Sequence, residues 1–162
     1  MNNYILTDNE CRILIKSKGK IFEVLFDRED YARIKNIRWG INVLKSGVYC
    51  VGVIGYGKDR YLTKMHRLIM SYPENLLVDH KNRNGLDNRK CNLRSATRVQ
   101  NAGNALHKSG KPRGVYKWFN RYRAVIQHNN KTIHIGMFPT EKDASEAYKK
   151  SSQKLRGEFS PL

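Results

Sequence analysis

Apolar runs of four to eight residues, broken by turn-forming residues, fill the first sixty positions, a spacing that suits strands better than helices. Residues 13–15 and 21–26 flank Lys16-Ser17-Lys18-Gly19-Lys20 and predict a hairpin. Residues 27–34 predict a short helix, with Asp27 as N-cap and acids in the first turn. Residues 48–54 and 60–63 predict a second hairpin across Gly55-Tyr56-Gly57-Lys58-Asp59. Met65, Leu68 and Ile69 share one face of a helix that Pro73 stops. Tyr31 and Trp39 are candidates for the core.

From residue 76 the pattern changes. Leu76-Leu77-Val78 predicts a strand ending in Asp79-His80, and Leu93-Arg94-Ser95-Ala96 predicts a second. The polar run between them, Lys81 to Asn92, is expected to stay out of any core. Thr97 then caps a helix with Val99, Ala102 and Leu106 on one side. Residues 107–113 are short, basic and rich in breakers, as a linker is. Beyond them, 114–119, 122–127 and 132–138 predict three strands, and 141–156 a helix with Thr140 before it and Gly157 after it. Ala144, Ala147, Tyr148, Ser151 and Leu155 would line its buried side. The expected architecture is α+β: a β-rich region over 1–64, a strand–loop–strand–helix unit within 65–106, and a three-stranded antiparallel sheet packed on one helix over 114–162.

Charge narrows the partner. The 162 residues carry 31 Lys and Arg against 14 Asp and Glu, a net +17. The surplus runs through the whole chain rather than sitting in a tail. Charge of this size opposes compaction and invites a polyanion, with nucleic acid ahead of a membrane surface or the ribosome. Cys11, Cys50 and Cys91 form no CxxC pair, so neither a zinc ribbon nor a redox motif is indicated. An odd count of scattered thiols suits a reducing, cytoplasmic setting. There is no apolar signal core and no run long enough to cross a membrane.

The chemistry is concentrated between Asp79 and Asn101. Phosphodiester hydrolysis needs a base for water, a cation on the leaving oxygen and charge stabilisation in between. Histidine is the natural base near neutral pH, and carboxylate and amide oxygens are hard ligands suited to Mg²⁺ or Mn²⁺. Asp79-His80, Asn92-Leu93-Arg94 and Gln100-Asn101, with twelve residues from His80 to Asn92 and nine from Asn92 to Asn101, resemble the HNH endonucleases. The likeness is to the branch found in phage and intron-encoded homing enzymes. It implies a ββα-metal fold in which Asp79 and Asn101 hold one divalent ion, Mg²⁺ or Mn²⁺. It also implies that His80 activates water and that Asn92 fixes the loop. The third position is Asn101 rather than His, as in the Asn-bearing homing enzymes, and that points to a Mg²⁺-type site. Arg94 and Arg98 are candidates for phosphate contact. His66-Arg67-Leu68-Ile69 resembles the lead-in of this branch and receives no catalytic role. Asn82, Asn84, Asp87 and Asn88 read as turn formers.

Residues 113–159 resemble the ethylene-response-factor (apetala-type) DNA-binding domain. Arg113-Gly114-Val115, Tyr122 to Ile126, Ile135 to Phe138, and Glu141, Ala144 and Glu146-Ala147-Tyr148 carry the likeness. The chain departs from that pattern in having Tyr122 where Trp is common. The resemblance implies a sheet laid into the major groove of double-stranded DNA. The candidate contacts are Arg113, Tyr116, Lys117, Trp118, Arg121 and Arg123, with Gln127, Lys131 and His134 behind them; for Trp118, core packing is an equal alternative.

Together these readings describe a metal-dependent, homing-type DNA endonuclease with a separate module for site selection and no small-molecule cofactor. They place it in the cytoplasm, encoded by a phage in a bacterial host. The rival is a non-catalytic DNA-binding regulator whose nuclease module is inactive, and a third reading, which charge alone permits, is RNA or ribosome binding. The oligomeric state and the recognition site are not legible.

Overall fold

The computed structural model describes residues 2–104 and 112–160. Two compact units, Met1–Arg98 and Val99–Leu162, divide the chain.

The first unit holds three antiparallel sheets. Strands β1 (Asn3–Leu6), β2 (Glu10–Ser17) and β3 (Lys20–Asp27) form one, in that order. Strands β4 (Trp39–Leu44), β5 (Gly47–Ile54) and β6 (Tyr61–Lys64) form the next, and β7 (Leu77–His80) pairs with β8 (Leu93–Ala96). Alternation explains the burial: Cys11, Ile13 and Ile15 of β2 and Val24 and Phe26 of β3 point inward. They join Ile34, Trp39, Cys50, Met65, Ile69, Val78 and Leu93 in one core. The first 64 residues therefore share a core with the Asp79-His80 hairpin. The edge strand β1 and the strand β4 were not foreseen, because neither shows a clean apolar–polar alternation; pairing with β2 and β5 makes them strands.

The helix expected over 27–34 is a 3-10 turn, Arg28–Asp30, running into a single turn α1 (Tyr31–Ile34). Asp27 caps nothing; its Oδ2 accepts the main-chain N–H of Lys90 at 2.7 Å. A second short helix, α2 (Met65–Ile69), follows β6.

The second unit begins with α3 (Arg98–Asn104), whose first residue closes the preceding unit. Val99, expected on an apolar face, is 81% exposed, and Leu106 and most of the expected linker lie outside the described residues. Strands β9 (Val115–Trp118), β10 (Arg121–His128) and β11 (Lys131–Phe138) form an antiparallel sheet with β10 in the middle. Phe119 takes a left-handed φ of 51°, so the turn is Phe119-Asn120, one residue earlier than the sequence pattern suggested. On α4 (Glu141–Arg156), Ala144, Tyr148 and Ser152 are buried, as are Ala124 and Ile126 of β10, the strand it packs on. Thr140 Oγ1 accepts the N–H of Asp143 at 3.1 Å, the expected cap. Gly114, at φ +68°, leaves room that a Cβ would take 2.3 Å from both the Val125 carbonyl oxygen and the Tyr148 ring.

Candidate active site

The β7–β8 hairpin brings Asp79 opposite Arg94 and His80 opposite Leu93. All four are buried. Arg94 donates from Nε at 2.9 Å and from its terminal nitrogen at 2.7 Å to the same Asp79 oxygen, Oδ2. Arg94 is thus turned inward on a carboxylate rather than outward toward a surface. Exposed Arg98 lies just beyond the hairpin.

The loop between the strands is polar yet partly buried, against expectation: Gly85, Asp87, Asn88 and Asn92 are inside. Internal bonds make this tolerable, since a buried polar group is costly only when unsatisfied. Asn92 ties the limbs together. Its Oδ1 accepts from Asn82 N at 3.0 Å and its Nδ2 donates to the Asp87 carbonyl at 2.8 Å. The main chain of Asn92 also accepts from Lys81 N at 2.8 Å, next to His80. Asn82 and Asn84 each accept a main-chain N–H two residues on, closing successive turns. Asp87 is held by Arg89 at 2.8 Å, and this bond keeps its carboxyl below the usual range.

His80 sits among rings. His66 lies edge-on at 4.8 Å between centroids, and Tyr49 lies 6.2 Å away. Gly85 lets the loop descend onto β5: a Cβ there would be 2.3 Å from the Val48 carbonyl oxygen and 2.7 Å from the Tyr49 ring. The Nε2 of His80 faces Asn88 Oδ1 at 3.4 Å. Burial pushes the His80 pKa down, with the Asn88 bond and the Asp79 and Asp87 charges opposing. His66 is pushed down to about 3, chiefly by burial and then by His80. Both rings are therefore neutral near pH 7, and a neutral imidazole is the form that can take a proton.

Acid groups cluster elsewhere too. Asp27, Glu29 and Asp30 bring carboxylate oxygens within 4.8 Å of one another. The Lys90 ammonium already sits there, bonded to Glu29 and 3.4 Å from Asp30 Oδ2, so the cluster is an ion-pair seat for the loop.

In the second unit, Asn101 is half-buried on α3, and Arg113 donates to the Ala102 carbonyl at 2.9 Å. In the sheet, Tyr116 pairs with Arg123 and Trp118 with Arg121, so these four share the face away from α4. Trp118 is 54% exposed, which rules out core packing for it. Gln127 and His134 fall on the same face, while Lys117 and Lys131, paired with Tyr122 and His128, fall on the opposite pleat. The Nε of Arg123 is buried without a hydrogen-bond partner among the described residues.

Among known proteins, no family model matches this sequence and no solved structure matches this chain. A protein of Acanthamoeba polyphaga mimivirus named an uncharacterised HNH endonuclease is 37% identical, across 98% of this chain and 83% of the relative. The chain belongs to the HNH endonuclease family. The relative is viral, from a virus of amoebae. Among the described residues no helix is long and apolar enough to cross a membrane.

Three neighbours of His80 escaped the sequence reading. His66 was visible only as part of a lead-in motif, Asn88 was indistinguishable from the turn-forming asparagines around it, and Tyr49 had no signal.

Proposed function

We propose that the protein is a metal-dependent DNA endonuclease in which His80 is the general base and Asp79 and Asn101 hold one Mg²⁺ or Mn²⁺. The observation that carries this reading is the buried His80, next in sequence to the Asp79 that pairs with Arg94, in a chain of the HNH family. A carboxylate and a carboxamide make a hard donor set, which fits such an ion. Arg94 engages one Asp79 oxygen and sets the plane of the carboxylate. When bound, the ion would stabilise charge on the leaving 3′ oxygen and the phosphoryl group. His80 takes the proton of the attacking water, and its low pKa keeps it unprotonated until that moment. Asn92 holds the loop closed so that the ring does not drift. In this reading β7, β8 and α3 make up the ββα-metal motif.

The second unit is read as an ethylene-response-factor-like DNA-binding module. Tyr116, Trp118, Arg121 and Arg123 offer aromatic and cationic contacts on one face of the sheet, supported by Gln127 and His134. The guanidinium groups of Arg121 and Arg123 would meet phosphates or base edges from that face. Arg98 and the Lys and Arg surplus would add phosphate contacts. The test is plasmid cleavage with and without Mg²⁺. Wild-type protein nicks or cuts only with metal, whereas His80→Ala binds the plasmid and leaves it intact. Cleavage by His80→Ala at the wild-type rate overturns the mechanism. Binding without metal-dependent cleavage by the wild type leaves the regulator reading instead.

A further inference from the structure

We propose that Asn88 is a positioning residue for His80, and that the edge of the N-terminal sheet holds Asn88 in place. This rests on reading His80 as the base.

Strand β3 does not end its pairing within its own sheet. Leu25 N donates to the Leu86 carbonyl at 2.9 Å, and Asn88 N donates to the Leu25 carbonyl at 2.8 Å, a parallel bridge opposite Asp87. The seam continues outward: Lys90 N donates to Asp27 Oδ2 at 2.7 Å, the Lys90 ammonium bonds Glu29, and Arg89 reaches Glu10 at 3.3 Å. The loop segment 86–90 is therefore laid along β2–β3 by main-chain bonds flanked by ion pairs.

Asn88 is fully buried at the middle of this segment. Its Nδ2 donates to the Leu86 carbonyl at 3.1 Å, the same oxygen that Leu25 N engages. That bond decides which way the amide points. Turned over, the amide would set its oxygen against the Leu86 carbonyl, two acceptors with no proton between them. The oxygen must therefore face His80, and His80 Nε2 donates to it. An amide oxygen only accepts, so Nε2 carries the ring proton. The chain of control runs from the Leu25 main chain, through Leu86 and Asn88, to the tautomer and plane of His80. Residues 1–30 thereby become part of the apparatus that orients the base.

Two readouts test this on the full chain. In cleavage kinetics with Mg²⁺, Asn88→Leu, close in shape but unable to accept, lowers kcat by about 10–100-fold, as loss of an orienting partner does, and leaves KM roughly unchanged. In ¹⁵N NMR of the imidazoles, with His80 assigned through His80→Gln, wild-type His80 shows the Nε2–H tautomer, and Asn88→Leu loses that preference. Wild-type cleavage by Asn88→Leu, or a wild-type His80 in the Nδ1–H form, overturns the proposal. The wild-type spectrum decides the matter even if Asn88→Leu does not fold. A wild-type chain with no metal-dependent cleavage sinks the nuclease reading alone, since the tautomer still reports on Asn88.

Discussion

Acid should weaken the first unit through His66 in particular. This ring is buried, its Nδ1 has no hydrogen-bond partner among the described residues, and His80, Lys64 and Arg67 add repulsion to the cost of charging it. Its folded pKa is near 3, whereas an unfolded histidine titrates near 6.5. The folded value is the lower one, so between these limits the unfolded chain binds a proton that the folded chain refuses. Stability from this group is thus complete above about pH 6.5 and falls as the pH drops toward 3. From pH 7 to pH 5 the linkage amounts to about 2 kcal/mol, and a folded pKa one unit higher hardly alters it, because the folded ring would still be mostly neutral at pH 5. The perturbation is His66→Phe, which keeps a ring of similar size and removes the titration. The assay is urea unfolding at pH 7 and pH 5, followed by the fluorescence of buried Trp39 in a Trp118→Phe background. His80, also held below its ordinary pKa, contributes in both proteins and cancels in the comparison. Wild type should lose about 2 kcal/mol more than His66→Phe on acidification. Equal losses in the two proteins would show that His66 is not held neutral and that the packing described around His80 is wrong.

Asp79→Ala should cost about 3–5 kcal/mol in metal-free unfolding experiments, because it removes the carboxylate of a buried, hydrogen-bonded ion pair; a variant that loses cleavage but keeps full stability would refute the ion-pair role. Gly85→Ala should lower stability by about 1–3 kcal/mol and reduce cleavage, since the added carbon meets the Val48 carbonyl oxygen and the loop must lift; unchanged melting would count against the close approach. Gly114→Ala should destabilise the second unit through both the clash and the left-handed backbone, seen as an earlier melting step that leaves the Trp39 signal in place. Arg121→Ala and Arg123→Ala should each reduce the slope of log affinity against log salt by about 1 on duplex DNA, if each meets a phosphate; a slope equal to wild type would remove that residue from the interface.

Local pattern carried much of this protein. Hairpins from 13 to 26 and from 48 to 63, and the helix from 141 to 156 with its Thr140 cap, were legible because alternation, helical spacing and capping act over a few residues. The HNH family was legible for a different reason: the likeness rests on particular side chains, Asp79-His80, Asn92 and Asn101, at set separations. Tertiary structure decided what lay between. Strand β4 exists because β5 pairs with it, and Asp27 serves Lys90 instead of its own helix because the loop happens to pass there. The run from Lys81 to Asn92 looked too polar to bury, yet its groups satisfy one another and the edge of β3. No local rule separates Asn88 from Asn84. One meets a histidine from eight residues earlier and Leu25 from sixty-three residues earlier, and only the folded chain brings those partners together.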